Sequence, residues 1–175
     1  MNAQDHLART RAALEALDPE AIDQAGMALV HALDRGGMIY TCGNGGSAAE
    51  ALHLVEEVIG CYSNRARPAR AAVCLNADPT TMTCIANEFG YENIFSRQLE
   101  ALLRQEDILI VLSTSGESRN IINALQVARH TGAQTIGLLG RGGSADPQCA
   151  RAHKRSACER TEVMMAHFSD TSGMY

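Results

Sequence analysis

No stretch of this chain approaches the ~20 apolar residues that a membrane-spanning helix needs, so no spanning segment is expected. The opening residues Met1 to Arg11 carry Asp5, Arg9 and Arg11 and have no apolar core, so they do not read as a secretory signal. Both absences point to a cytoplasmic setting. The six cysteines, Cys42, Cys61, Cys74, Cys84, Cys149 and Cys158, include no C-x-x-C pair. That spacing argues against a zinc ribbon or a disulfide framework. They read instead as free thiols, buried where they fall on apolar segments. A basic excess is also missing, since the net charge is −5, which disfavours a dedicated nucleic-acid binder. Internal repeats and low-complexity tracts are absent. What is present is 175 residues with 46% apolar and 20% charged content, enough for one globular unit with a substantial core.

The chain reads in two parts: N-terminal helices over residues 1–35, and a larger α/β region over 36–175 that becomes atypical from about residue 146. A helix is expected over Asp5 to Leu17, with Leu7, Ala13, Leu14 and Leu17 as its apolar positions. Asp18-Pro19 supplies an N-cap and a first helical residue for a second helix reaching about Leu33, with Ile22, Leu29, Val30 and Leu33 inward. These helices serve either as sheet cover or as a subunit interface. Short apolar runs at Met38–Cys42, Ala71–Leu75, Ile108–Leu112 and Gln134–Leu139 alternate with helical segments. Such alternation predicts a parallel sheet covered on both faces, with ligands at the carboxyl ends of its strands. Asp78-Pro79 opens a helix that Asn87-Glu88-Phe89-Gly90 interrupts. Tyr91 to Leu103 resumes it, with Ile94, Phe95, Leu99 and Leu102 inside. From Asp146 the pattern fades, although Glu162 to Phe168 has the look of a short helix before a frayed tail.

Everything is organised around Met38 to Gly60. A strand leads into Gly43-Asn44-Gly45-Gly46-Ser47, and a helix comes next with Leu52, Val55 and Ile59 as its expected core stripe. A strand, a glycine loop and a helix start form an anion site, because unpaired N–H groups and the helix dipole point the same way. The loop has no Walker lysine and does not fit G-x-G-x-x-G, so nucleotide binding is not supported. A second such site is Ser113-Thr114-Ser115-Gly116-Glu117-Ser118, rich in hydroxyls between a strand and a helix. His53 and Glu57 are four apart, which puts them on one helix face, expected above the glycine loop. A buried carboxylate can move a proton between adjacent carbons, and a His/Glu pair also suits zinc. Asn87 and Glu88 offer an amide and a carboxylate to sugar hydroxyls, and His167 is the histidine of the last apolar segment.

Taken together, the glycine loop with His53 and Glu57 resembles the phosphoheptose isomerases of the sugar isomerase (SIS) domain superfamily. Asn87-Glu88-Phe89-Gly90 is similar to their N-D-[FY]-G, and the hydroxyl loop to their S-T-S-G-x-S. The likeness covers roughly Ala13 to Gly143. It implies a flavodoxin-like three-layer α/β fold with added N-terminal helices, and a homotetramer with active sites between subunits. It further implies an aldose–ketose isomerase, an intramolecular oxidoreductase, converting sedoheptulose 7-phosphate to D-glycero-D-manno-heptose 7-phosphate on the way to ADP-heptose. In that scheme Ser113, Thr114, Ser115 and Ser118 hold the phosphate, and Asn44, Gly45, Gly46, Ser47, Asn87 and Glu88 line the sugar. Glu57 is the base and His167 its acid partner, with one zinc per subunit on His53, Glu57 and His167. Two departures stand out: Glu88 replaces the family's Asp, and Glu159 falls where a Gln of Q-E-x-H is expected. Two other readings are a non-catalytic SIS protein that binds the replication initiator DnaA, and a sugar-phosphate sensor.

Overall fold

The computed structural model describes residues 2–15, 17–61 and 64–140. Strands β1 (Ile39–Gly43), β2 (Ala72–Cys74), β3 (Ile108–Ser113) and β4 (Gln134–Leu139) form one parallel sheet in the order β2-β1-β3-β4. Every residue of β1 and β3 is buried, as expected of inner parallel strands covered on both faces. One face carries α2 (Pro19–Asp34) and α3 (Gly46–Ile59), packed through Leu29, Val30, Leu33, Ala51, Leu54 and Val58. The other carries α5 (Ser96–Leu102) and α6 (Arg119–Thr131), packed through Leu99, Ile121, Ala124, Leu125 and Ala128. The expected three-layer α/β architecture is therefore present.

The register places the two loops side by side. Gly43 at the end of β1 pairs with Leu112, one residue before the end of β3, so the loops that leave these two strands emerge at the same sheet edge. At the opposite edge Asp107, 4% exposed, holds the entry ends together. Its Oδ1 accepts from the Met38 N–H at 2.8 Å and its Oδ2 from the Arg104 N–H at 2.8 Å.

The helices begin where their caps dictate. Asp18 Oδ1 accepts from the N–H groups of Glu20 and Ala21, with Pro19 at the first helical position of α2. Asp78 does the same for α4 (Pro79–Phe89) through Thr80 and Thr81. Its carboxyl is held below the usual carboxylate range, first by the Thr81 hydroxyl and then by the Thr81 and Thr80 N–H groups. A depressed pKa means that the cap stabilises the fold fully above the unfolded-state pKa and is lost as pH falls through the folded one. Asp78→Ala is therefore expected to lower the melting temperature at pH 7, and the gap from the parent should close below about pH 4. Thermal scans across pH check this; a pH-independent gap would rule it out.

Several expectations need correction. The core stripe of α3 is Ala51, Leu54 and Val58, with the expected Val55 half-buried against it, while Leu52 and Ile59 are 43% and 46% exposed. The phase is set by small residues at the sheet: Thr41 Oγ1 donates to the Ala51 carbonyl at 2.9 Å, drawing that side of the helix onto β1. At the end of α5 the inward residue is Leu103, just past the helix, whereas Leu102 is exposed. Asn87, Glu88 and Phe89 do not interrupt α4 but complete it, and Gly90, at φ 88°, makes the break. The chain then takes a 3-10 turn over Tyr91–Asn93 before α5. Helix α2 covers the sheet, but α1 (Ala3–Glu15) buries none of its residues. Among the cysteines, Cys42 and Cys74 are buried, and burial pushes the Cys42 thiol well up. Cys84 is exposed, and Cys149 and Cys158 lie outside the described residues.

Candidate active site

The glycine loop is built by close approach. A Cβ on Gly43 would come within 2.5 Å of the Ser47 carbonyl oxygen, so only glycine lets the first turn of α3 pack against the strand end. Gly45 caps α3 at φ 57°, ψ −122°, a conformation open to glycine alone, and it supplies no capping side chain. At the start of α3 the Ser47 and Ala48 N–H groups donate to the Asn44 and Gly45 carbonyls at 3.0 and 3.1 Å, which leaves the Gly46 N–H to the loop's open side. Asn76, just past β2, clamps this loop from behind. Its Oδ1 accepts from the Gly43 N–H at 3.1 Å and its Nδ2 donates to the Gly43 carbonyl at 3.0 Å.

The hydroxyl loop is ordered by its own serines. Ser113 Oγ accepts from the Gly116 N–H at 3.0 Å, and Ser115 Oγ accepts from the Glu117 N–H at 3.2 Å. Ser118 is the N-cap of α6 yet makes no side-chain cap bond, and Thr114 is exposed. The Ile121 N–H is taken by Asn120 Oδ1 and the Ser118 carbonyl, so what this helix start keeps for an external anion is the Ser118 hydroxyl and the N–H groups of Arg119 and Asn120.

The loops meet at one polar junction. Asn44 and Asn120 form a reciprocal amide pair, with Nδ2–Oδ1 distances of 2.9 and 2.8 Å. The Tyr91 hydroxyl donates to Asn44 Oδ1 at 3.0 Å, which brings the turn after Gly90 to the same point. Asn87 and Glu88 are exposed near the end of α4 and bond each other, Asn87 Nδ2 to Glu88 Oε1 at 2.6 Å. Of the residues expected to act together, the structure therefore gathers Asn44, Gly45, Gly46 and Ser47 beside Ser113, Thr114, Ser115 and Ser118.

His53 and Glu57 are elsewhere. Helix α3 starts at the carboxyl end of the sheet and returns toward its amino end. Glu57 lies eleven residues beyond Gly46, about 16 Å along the axis at 1.5 Å per residue. Arg67, in the connection to β2, binds the carbonyls of Glu57 and Val58 at 2.8 and 2.9 Å, which fixes that end of α3 near the entry to β2. The expectation that the pair stands above the glycine loop of its own chain is thus corrected: helix length carries it away. The pair itself is real. His53 Nε2 is 3.3 Å from Glu57 Oε1 and 4.0 Å from Glu56 Oε2. Glu57 Oε2 is buried and has no hydrogen-bond partner among the described residues. His53, Glu56 and Glu57 are the group of donors close enough to share a metal ion there. His167 and Glu159 lie outside the described residues.

Sequence reasoning missed Asn76, Tyr91 and Asn120. Asn76 had a weak signal, an Asn just past a strand end that parallels the glycine loop. Asn120 had none beyond its place after Ser118.

A family model described as "SIS domain" matches residues 4–140. The phosphoheptose isomerase of Akkermansia muciniphila is 47% identical over 122 residues, 70% of this chain and 64% of that protein. That of Bradyrhizobium sp. is 43% identical over 144 residues, 79% of this chain and 72% of that one. The matched stretch thus spans about two thirds of the length of these curated relatives. Among solved structures, a phosphoheptose isomerase from Neisseria gonorrhoeae superposes with a TM-score of 0.80 at 30% identity, covering 99% of this chain and all of that one. No helix among the described residues is long and apolar enough to cross a membrane.

Proposed function

The chain belongs to the SIS domain family, alongside its phosphoheptose isomerases, and from that premise we propose that it is an aldose–ketose isomerase. It converts sedoheptulose 7-phosphate to D-glycero-D-manno-heptose 7-phosphate, in the cytoplasm. One observation carries the reading: two helix starts whose N-cap residues, Gly45 and Ser118, make no side-chain cap bond open side by side at the ends of neighbouring strands. The serine-rich start takes the phosphate through Ser113, Thr114, Ser115 and Ser118, with the α6 dipole favouring the dianion. Asn44, Gly45, Gly46 and Ser47 then lie along the sugar, with Asn87 and Glu88 at the rim.

The chemistry needs a base within reach of the first two carbons. Glu57 removes a proton from C1 of the ketose, the electron pair forms the C1=C2 bond, and O2 gains a proton. The resulting enediol is reprotonated at C2 from the same carboxyl as the O1 proton departs. His167 is the acid partner that helps open the ring. Since Glu57 stands far along α3 from the phosphate loops of its own chain, the base comes from a second copy, and the working form is a homo-oligomer, read as a tetramer. Exposed Leu52 and Ile59 on α3 and exposed Met27 on α2 give that copy apolar surface to cover.

A zinc ion fits the donor set. His53 Nε2 and Glu57 Oε1 converge, and the second Glu57 oxygen is buried without a partner among the described residues. His53 and Glu57 would hold the ion, with His167 as a further ligand. When bound it would polarise a substrate oxygen as a Lewis acid.

The test is to incubate the purified protein with sedoheptulose 7-phosphate, with and without added zinc, and follow the aldose. Turnover is expected. Tight binding without turnover would replace the isomerase with the sensor reading, and failure to bind would remove both.

A further inference from the structure

Asn120, the second residue of α6, is 2% exposed, and its amide is fully constrained. Its Oδ1 accepts from the Ile121 N–H at 3.0 Å, and a backbone N–H can only donate. That contact fixes which end of the Asn120 amide is oxygen. The same oxygen accepts from Asn44 Nδ2 at 2.9 Å, while Asn120 Nδ2 donates to Asn44 Oδ1 at 2.8 Å. The orientation of Asn44 is thereby fixed as well. The Tyr91 hydroxyl then takes the other lone pair of Asn44 Oδ1 at 3.0 Å. A primary amide has two donor hydrogens and two acceptor lone pairs. At Asn44 both acceptor sites and one donor are used, which leaves a single N–H.

We propose that Asn120 is a positioning residue: with Tyr91, it restricts Asn44 to presenting one N–H donor, and no acceptor, to the bound sugar. The proposal rests on the isomerase reading and deepens it. A lone donor at the glycine loop selects a ligand that places an acceptor oxygen there, such as a ketose carbonyl. A bare phosphate held by the serines of the hydroxyl loop does not depend on it. The amide pair also locks the two helix starts to one another, so the distance from phosphate to sugar oxygen is set before binding.

Asn120→Asp is nearly isosteric. It keeps an oxygen for Ile121 and for Asn44 Nδ2, but sets a carboxylate oxygen against Asn44 Oδ1. That arm of the pair is lost in either orientation of Asn44, so its amide is no longer held with a single N–H toward the sugar. Binding to the full-length protein is measured by calorimetry with two probes, sedoheptulose 7-phosphate and inorganic phosphate. Asn120→Asp is expected to weaken the sugar phosphate about tenfold and to leave inorganic phosphate within about twofold. Tyr91→Phe removes only an exposed hydroxyl and should weaken the sugar phosphate alone, by about threefold. Equal weakening of both probes, or of neither, overturns the proposal. If Asn120→Asp does not fold, the Tyr91→Phe result decides alone, and an unchanged ratio overturns it. A parent protein that binds the two probes alike removes the isomerase reading, and the proposal with it. A parent preference that survives in both variants removes only the positioning role.

Discussion

Glu57→Gln is expected to lower kcat by about 10²- to 10⁴-fold, the range of a lost general base, while the melting temperature stays near that of the parent. Glutamine has nearly the shape of glutamate but cannot take a proton from carbon. Its side chain can still meet His53, which lies 3.3 Å from Glu57 Oε1. The buried Oε2, without a hydrogen-bond partner among the described residues, is the oxygen that the proposed mechanism assigns to a substrate proton or a metal ion. KM should change little, because the proposed function assigns the phosphate to the hydroxyl loop and not to this carboxylate. A loss in kcat/KM that comes through kcat identifies an interaction made in the transition state. A coupled assay for the aldose and a circular-dichroism melt check both halves. Unaltered turnover would show that the proton is moved by another group.

The parts of this molecule that obey local rules were readable in the sequence. Asp18-Pro19 and Asp78-Pro79 started helices where they should, and the apolar runs at β1, β3 and β4 became parallel strands. Alternation of strand and helix correctly placed both loops at strand ends. The phase of α3 was not readable, because Ala51 and Leu52 compete for the core and periodicity alone favoured the bulkier residue. Tertiary contact decided for the smaller one, through Thr41 and the tight fit at Gly43. The amide network escaped for a related reason. Asn44 and Asn120 are 76 positions apart, and Asn76 reaches Gly43 across 33, separations at which a single polar residue carries no pattern. Counting residues along α3 could have warned that Glu57 lies far from the glycine loop. Spacing shows which face a residue shares and not which end of the helix it occupies.

Mixing two inactive variants should restore activity, and this result bears most directly on how the site is assembled. Ser118→Asp keeps a good N-cap residue at the start of α6, but its carboxylate repels a phosphate at the place where Ser118 makes no cap bond of its own. Alone it should be inactive through loss of substrate binding, just as Glu57→Gln is inactive through loss of the base. Co-expressed with distinct tags, the two chains form mixed assemblies. Where a site takes Glu57 from one subunit and the hydroxyl loop from another, random mixing leaves about a quarter of the sites with both groups native. Activity should therefore recover to about a quarter of the parent value. Where both groups come from the same chain, no site has the two together and nothing recovers. The second outcome, with mixed assemblies verified by tandem affinity purification, would remove the shared site. It would also leave Glu57 at one end of α3 and the phosphate at the other, with no route for the carboxylate to reach the sugar carbons. The separation of about 16 Å along α3 makes the first outcome the expected one, since a rigid helix packed through Ala51, Leu54 and Val58 cannot bend its far end back to its own start.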